Sequence, residues 1–174
     1  MAAQKPERRE RTPPPPLDAA QLRDLGLRYV GRYATTAGKL TRYLERKLWE
    51  RGWAGEGSAP VADTVAAFVA QGYVDDRAFG EARARGLASK GFGQRRVGQD
   101  LSAAGLERGL AGEISETVDG WAAAERFAQR RRFGPWDRAG FDANRHRKQV
   151  ASMMRAGHDY ATVRAVLKGE TVEE

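Results

Sequence analysis

The sequence predicts an all-α protein, built as three tandem three-helix units in an elongated, curved array, and three observations lead there. Apolar residues recur at three- and four-residue intervals along most of the 174-residue chain. Glycine followed by a hydrophobe closes several of those runs, at Gly52-Trp53, Gly72-Tyr73 and Gly105-Leu106, as a helix cap with its apolar contact requires. The spacing of an apolar residue, three positions, then glycine appears at Leu48/Gly52, Leu101/Gly105 and Met153/Gly157. Each time a longer helical run precedes it and a shorter one follows, which suggests repeated units that must pack on their neighbours to bury their apolar faces. The alternative is coincidence among glycine-capped helices.

Residues 1–16, charged and proline-rich, offer little to bury and are expected to be a disordered arm. The first unit is assigned to residues 17–74. Asp18 with Gln21 forms a capping-box pattern and Leu17 with Leu22 a hydrophobic staple. Leu22, Leu25, Tyr29 and Tyr33 extend the first helix over 19–33. Thr35 or Thr36 caps the next, whose seam is Leu40, Tyr43, Leu44 and Leu48, and which stops at Gly52. After a flexible GEGSAP passage, Ser58 and Pro60 suit the opening of a third helix with Val61, Val65, Phe68 and Val69 as its core stripe. The second unit, 75–119, opens on Asp75 and Asp76, an N-cap and a dipole partner for a helix over 76–89. It continues through Val97 and Leu101, then Leu110, Ile114 and Val118. The third, 120–169, begins with a helix over 120–132 and ends with Tyr160, Val163, Val166 and Leu167; an acidic tail, 170–174, closes the chain.

The formal net charge is +7 and the sequence pI about 10.0, so a polyanion is the first partner to consider. There are no cysteines, which excludes disulfides, thiolate metal sites and cysteine nucleophiles and is compatible with the cytoplasm. No apolar run reaches the ~20 residues that cross a bilayer, so no membrane partner is expected. The two histidines, His146 and His158, lie in no nucleophile or zinc motif, and no catalytic residue, cofactor or metal is assigned. Asp142 and His146 stand one helical turn apart, a spacing better suited to a surface hydrogen bond than to a metal. Gly91-Phe92-Gly93 lacks the strand and third glycine of a nucleotide fingerprint and is read as a tight turn. The N–H groups opening the helix at Gln94 to Val97, beside Arg95 and Arg96, could nevertheless face a phosphate. The aromatics, Trp49 among them, are assigned to packing.

Two basic clusters are the sharper signal. In the central stretch Arg77, Arg83, Arg85, Lys90, Arg95 and Arg96 alternate with the apolar positions. Residues 126–148 hold Arg126, Arg130, Arg131, Arg132, Arg138, Arg145, Arg147 and Lys148 against only Asp137 and Asp142. A solvated helical face is one reading. An anionic partner is the other, since arginine forks match phosphate and carboxylate alike, and such binding would be independent of base sequence and weakened by salt.

The order Gly72-Tyr73-Val74-Asp75-Asp76, Phe79, Gly91-Phe92-Gly93, Arg96-Val97, Leu101, Gly105-Leu106 resembles the centre of the RecX family, regulators of the bacterial recombinase RecA. The resemblance spans residues 26–168. It includes Leu27-Arg28-Tyr29, Thr36 and Leu40 early on, and Phe133-Gly134-Pro135-Trp136, Lys148, Met154 to His158 and Arg164 to Leu167 later. Thr36 stands where the family commonly has serine, and Lys39 where it has glutamate, a reversed charge. The resemblance implies an all-helical, non-enzymatic protein that lodges in the groove of a RecA filament on single-stranded DNA and restrains it; a monomer is expected. The residues expected to meet recombinase or DNA are Arg77, Arg83, Arg85, Lys90, Arg95, Arg96, Arg130, Arg131, Arg132, Arg147 and Lys148. Gly72, Tyr73, Asp75, Asp76, Phe79, Gly91, Gly93, Leu101, Gly105 and Gly157 are expected to serve structure. The other class considered is a helical module that binds DNA directly, without a recombinase.

Overall fold

A computed structural model describes residues 14–170. The arm expected over 1–16 and the acidic tail over 170–174 lie, at 1–13 and 171–174, outside the described residues. The rest is all-α: α1 (Ala19–Val30), α2 (Ala37–Arg51), α3 (Val61–Ala70), α4 (Asp76–Ala88), α5 (Gln94–Ala103), α6 (Arg108–Glu116), α7 (Gly120–Arg131), α8 (Ala143–Arg155) and α9 (Tyr160–Lys168), with a 3-10 turn at Gly134–Trp136. Among the described residues the one extended pairing is an isolated parallel bridge between Leu17 and Trp53.

Local chemistry starts most of these helices. Side-chain oxygens of Asp18, Thr36, Asp75, Glu107, Asp119, Asp142 and Asp159 each accept the backbone N–H three residues on. Each cap stabilises its helix by about 1 kcal/mol. Only α3 and α5 lack one, opening at Pro60 and Gly93. Ser58 makes no capping bond; the Pro60 carbonyl instead accepts from Thr64.

Three apolar cores gather the helices. Leu17, Leu22, Leu40, Leu44, Val65, Phe68 and Val74 form the first, between α1, α2 and α3. The second holds Ala84, Val97, Leu101, Leu106, Ala111, Ile114 and Val118. The third holds Ala124, Phe127, Ala128, Met153, Val163, Val166 and Leu167. Phe92 packs against the second and the third, so those two are not fully separate.

The joints between them are made largely by main chain. The Thr36 hydroxyl donates to the Ala104 carbonyl at 2.7 Å, and Asp76 accepts the Ala37 N–H at 2.8 Å, so a carboxylate of α4 caps α2. A Cβ on Gly38 would collide with the Gly105 carbonyl oxygen. Lys39, the charge reversal noted above, sets its ammonium 5.4 Å from the centre of the Phe79 ring across this joint. At the next joint the Gly93 N–H donates to the Ala156 carbonyl at 3.0 Å, and Gly157, at φ +95°, lies directly on the backbone of Arg96. Leu17 donates to the Gly52 carbonyl and accepts from Ala54, both at 2.9 Å.

Four expectations are corrected. The first helix ends at Val30, not residue 33, because Gly31 closes it and Tyr33 leaves the helix while its ring stays 5.4 Å from that of Tyr29. Val69 is half exposed, since Val65 and Phe68 already fill the core on that side of α3. Trp49 does not pack: it is 87% exposed, because α2 turns Leu40, Leu44 and Leu48 inward and places residue 49 on the far side. The fourth correction concerns the start of α5.

Candidate functional site

The basic residues divide by whether a carboxylate already neutralises them. On α4, Arg77 grips Glu113 of α6 through two parallel bonds of 2.9 and 3.0 Å and also approaches Glu81. Arg85 shares Glu81 at 3.9 Å, and Arg83 bonds Asp100 of α5. The bond to Arg77, more than the charge alone, holds the Glu113 carboxyl below its ordinary range. These pairs are exposed and weak, so an incoming phosphate could exchange with them, yet at rest they leave this face close to neutral.

The situation differs where α4 and α5 meet α7. The chain leaves α4 through Gly91, whose φ of +83° no L-residue favours, and a Cβ there would sit 2.8 Å from the Phe127 backbone nitrogen. Arg126 and Arg130 of α7 donate to the Ala88 and Lys90 carbonyls at 3.1 and 3.0 Å, capping α4 from outside. Arg131 lays its guanidinium 5.4 Å from the Phe127 ring centre. Lys90, Phe92, Phe127, Arg130 and Arg131 together line a groove of about 330 Å³. None of these three cations has a carboxylate within 4.0 Å among the described ion pairs.

Beneath the groove lies His158, 2% exposed, with Nε2 3.0 Å from the Gly91 carbonyl and its ring edge-on to Phe127. Burial lowers its pKa, against weaker opposing contributions from the Gly91 carbonyl and Asp159. The ring is therefore neutral and donates from Nε2. The opening of α5 is not an anion site. The Arg95 N–H donates to the Gly157 carbonyl at 3.3 Å and the Gly93 N–H to Ala156, so the third unit's turn occupies the place predicted for a phosphate. This contact also replaces the side-chain cap that α5 lacks.

Arg95 and Arg96 themselves point outward, exposed, on either side of that turn's contact. Arg132 ends α7 in the left-handed region at φ 57° and is exposed, as are Arg147 and Lys148 on α8, with Arg147 bonded to Asn144. The structure thus brings Lys90, Arg95, Arg96, Arg130 and Arg131 to one joint. It leaves Arg77, Arg83 and Arg85 paired on α4 and Arg147 with Lys148 on a separate helix.

Two basic residues stand outside the expected binding set. Arg126 acts through a distant carbonyl, which no spacing could show. Arg42 could have been found: it stands ten residues before Gly52, as Arg95 stands before Gly105 and Arg147 before Gly157. All three are exposed.

The structural positions behave as capping and packing demand. Tyr73 sets its ring edge on Phe68 at 5.7 Å after the Gly72 turn, Asp75 caps α4, and Leu101 is wholly buried. Asp142 caps α8, with His146 beside the Phe141 ring rather than paired to it. Among the described residues no three histidine or carboxylate side chains gather as a metal site would require. None of the described helices is long and apolar enough to cross a membrane.

No family model matches the chain. It is 27% identical over 173 residues to the regulatory protein RecX of Myxococcus xanthus, with 92% of each chain covered. It is 29% identical over 147 residues to the regulatory protein RecX of Halorhodospira halophila, covering 83% of this chain and 84% of that one. The crystal structure of RecX from Lactobacillus salivarius superposes with a TM-score of 0.64 at 15% identity, over 87% of this chain and 95% of the other. That likeness shows a shared fold. The resemblance to RecX read from the sequence therefore holds over most of the chain.

Proposed function

Because the chain is RecX-like in sequence and fold, we propose that it is a non-catalytic, monomeric, cytoplasmic regulator of a RecA recombinase. Its three units, divided near residues 74 and 119, form a curved array that lodges in the groove of the filament on single-stranded DNA and spans adjacent protomers. By bridging them it restrains ATP hydrolysis, strand exchange and coprotease activity. The observation that supports this reading is the joint between the second and third units, where Lys90, Arg130 and Arg131 line one groove and Arg95 and Arg96 stand exposed at the start of α5, none of them in a described ion pair. The arginines of α4, by contrast, are already paired. Several modest cationic contacts on a semi-rigid array bind a repeating anionic polymer far better than any single contact does.

The test is inhibition of RecA ATP hydrolysis on single-stranded DNA, titrated beside binding to the bare DNA. Inhibition should set in below the protein concentration that coats bare DNA. Arg95→Glu combined with Arg96→Glu, both exposed, should raise the half-inhibitory concentration about tenfold or more at low salt without unfolding the chain. An unchanged inhibition curve at low salt would remove this joint from the interface.

A further inference from the structure

We propose that the outer face of α2, with Trp49 at its centre and Arg42 and Arg46 beside it, is a stacking platform for an unpaired nucleobase. Through it the chain takes single-stranded nucleic acid directly, with no recombinase required. Tryptophan normally buries a large apolar area, and Trp53, Trp121 and Trp136 each pack partly against a core. Trp49 is 87% exposed, and no other aromatic ring or cation covers it among the described contacts.

Its surroundings carry charges of both signs, with two arginines on its side of the helix. Arg42, seven residues earlier, and Arg46, three earlier, share its side of the helix, with Arg42 about 10 Å away along the axis. Arg42 is in none of the described ion pairs, and its guanidinium reaches toward the second unit, 2.9 Å from where a Cβ on Gly105 would sit. Arg46 holds Glu50 at 3.6 Å, an exposed pair that a phosphate could displace, while Glu50 keeps Lys47 at 2.5 Å. Glu45 is the one carboxylate on that flank left unpaired in the described ion pairs.

The open indole selects a single strand over a duplex. An indole open to solvent matches the π-face of any unpaired base, whereas a duplex hides those faces inside its own stack. Arg42, Arg95 and Arg147 also hold the same position in their middle helices, and each is exposed.

The test measures binding of the full chain to a labelled oligothymidylate and to a duplex of equal length by fluorescence anisotropy, in the wild type, Trp49→Ala and Trp49→Phe. Trp49→Ala should weaken single-strand binding roughly 5- to 50-fold and leave duplex binding within about twofold, and Trp49→Phe should restore most of the loss. Circular dichroism checks that each variant folds. No wild-type binding to the oligothymidylate, no loss in Trp49→Ala, or equal losses on both substrates would overturn the inference. So would lost inhibition of RecA with unchanged oligonucleotide binding, a result that would assign Trp49 to the protein partner and leave the regulatory reading standing.

Discussion

An imidazole buried between two cores ties the charge state of one side chain to the joint they share. His158 donates to the Gly91 carbonyl, and its desolvation holds its pKa below the ordinary value of 6.5. Its charged neighbours across the joint are Asp159 on its own turn, Arg96 on α5, Lys90 after α4 and Arg130 on α7. The unfolded chain therefore takes up this proton at a higher pH than the folded one. The stabilisation is full above about pH 6.5 and is lost as pH falls through the depressed folded value. The melting temperature should drop as pH falls below about 6.5, and drop less in His158→Gln, which keeps a donor but cannot titrate. Parallel slopes for the two proteins would show that His158 does not couple to the joint. Composition and spacing marked this histidine as non-catalytic, but its burial is a tertiary fact that no local pattern carried. Arg42 is the opposite case, its exposed place on α2 legible from its register with Arg95 and Arg147.

At the level of the helix, the sequence was most informative where the chemistry is local. Asp18, Thr36 and Asp75 cap the helices that they were expected to cap, because a side-chain oxygen three residues from an unpaired N–H needs no tertiary help. The end of α1 was misread because Tyr29 and Tyr33 keep helical spacing and ring contact past Gly31, where the helix has already closed. Trp49 was misassigned because helical spacing was noted without asking which side of α2 the residue occupies. Glycines inside helices separate what a helix needs from what its neighbours demand. Gly86 in α4 and Gly112 in α6 have open space where a Cβ would go, so Gly86→Ala and Gly112→Ala should each stabilise by roughly 0.5–1 kcal/mol. Gly38→Ala in α2 gains the same propensity but drives a methyl group into the Gly105 carbonyl, and should destabilise by about 1–3 kcal/mol. Thermal denaturation of the three variants checks this; a rise in all three would mean that the first joint is looser than its geometry.

Across the whole molecule, Phe92 is the side chain that two cores share. Removing a half-buried phenyl ring should cost roughly 2–3 kcal/mol. Because the loss falls on both sides of a joint, Phe92→Ala should also broaden or split the calorimetric transition, whereas a sharp single transition at lower temperature would mean that the main-chain contacts alone keep the cores cooperative. The helical class was legible at this scale from periodicity. The partition of the arginines was not, since Arg77 and Glu113 lie 36 residues apart and meet only once α4 packs on α6. The joints themselves bear on how far such a chain can drift over generations. Their fit is set by carbonyls, amides and missing methyl groups at Gly38, Gly93, Gly105 and Gly157, and carbonyls and amides are the atoms that substitution does not alter. Surface residues can then be rewritten with little effect on how the bundles sit against one another, whereas a methyl group added at one of these glycines would push the joint open.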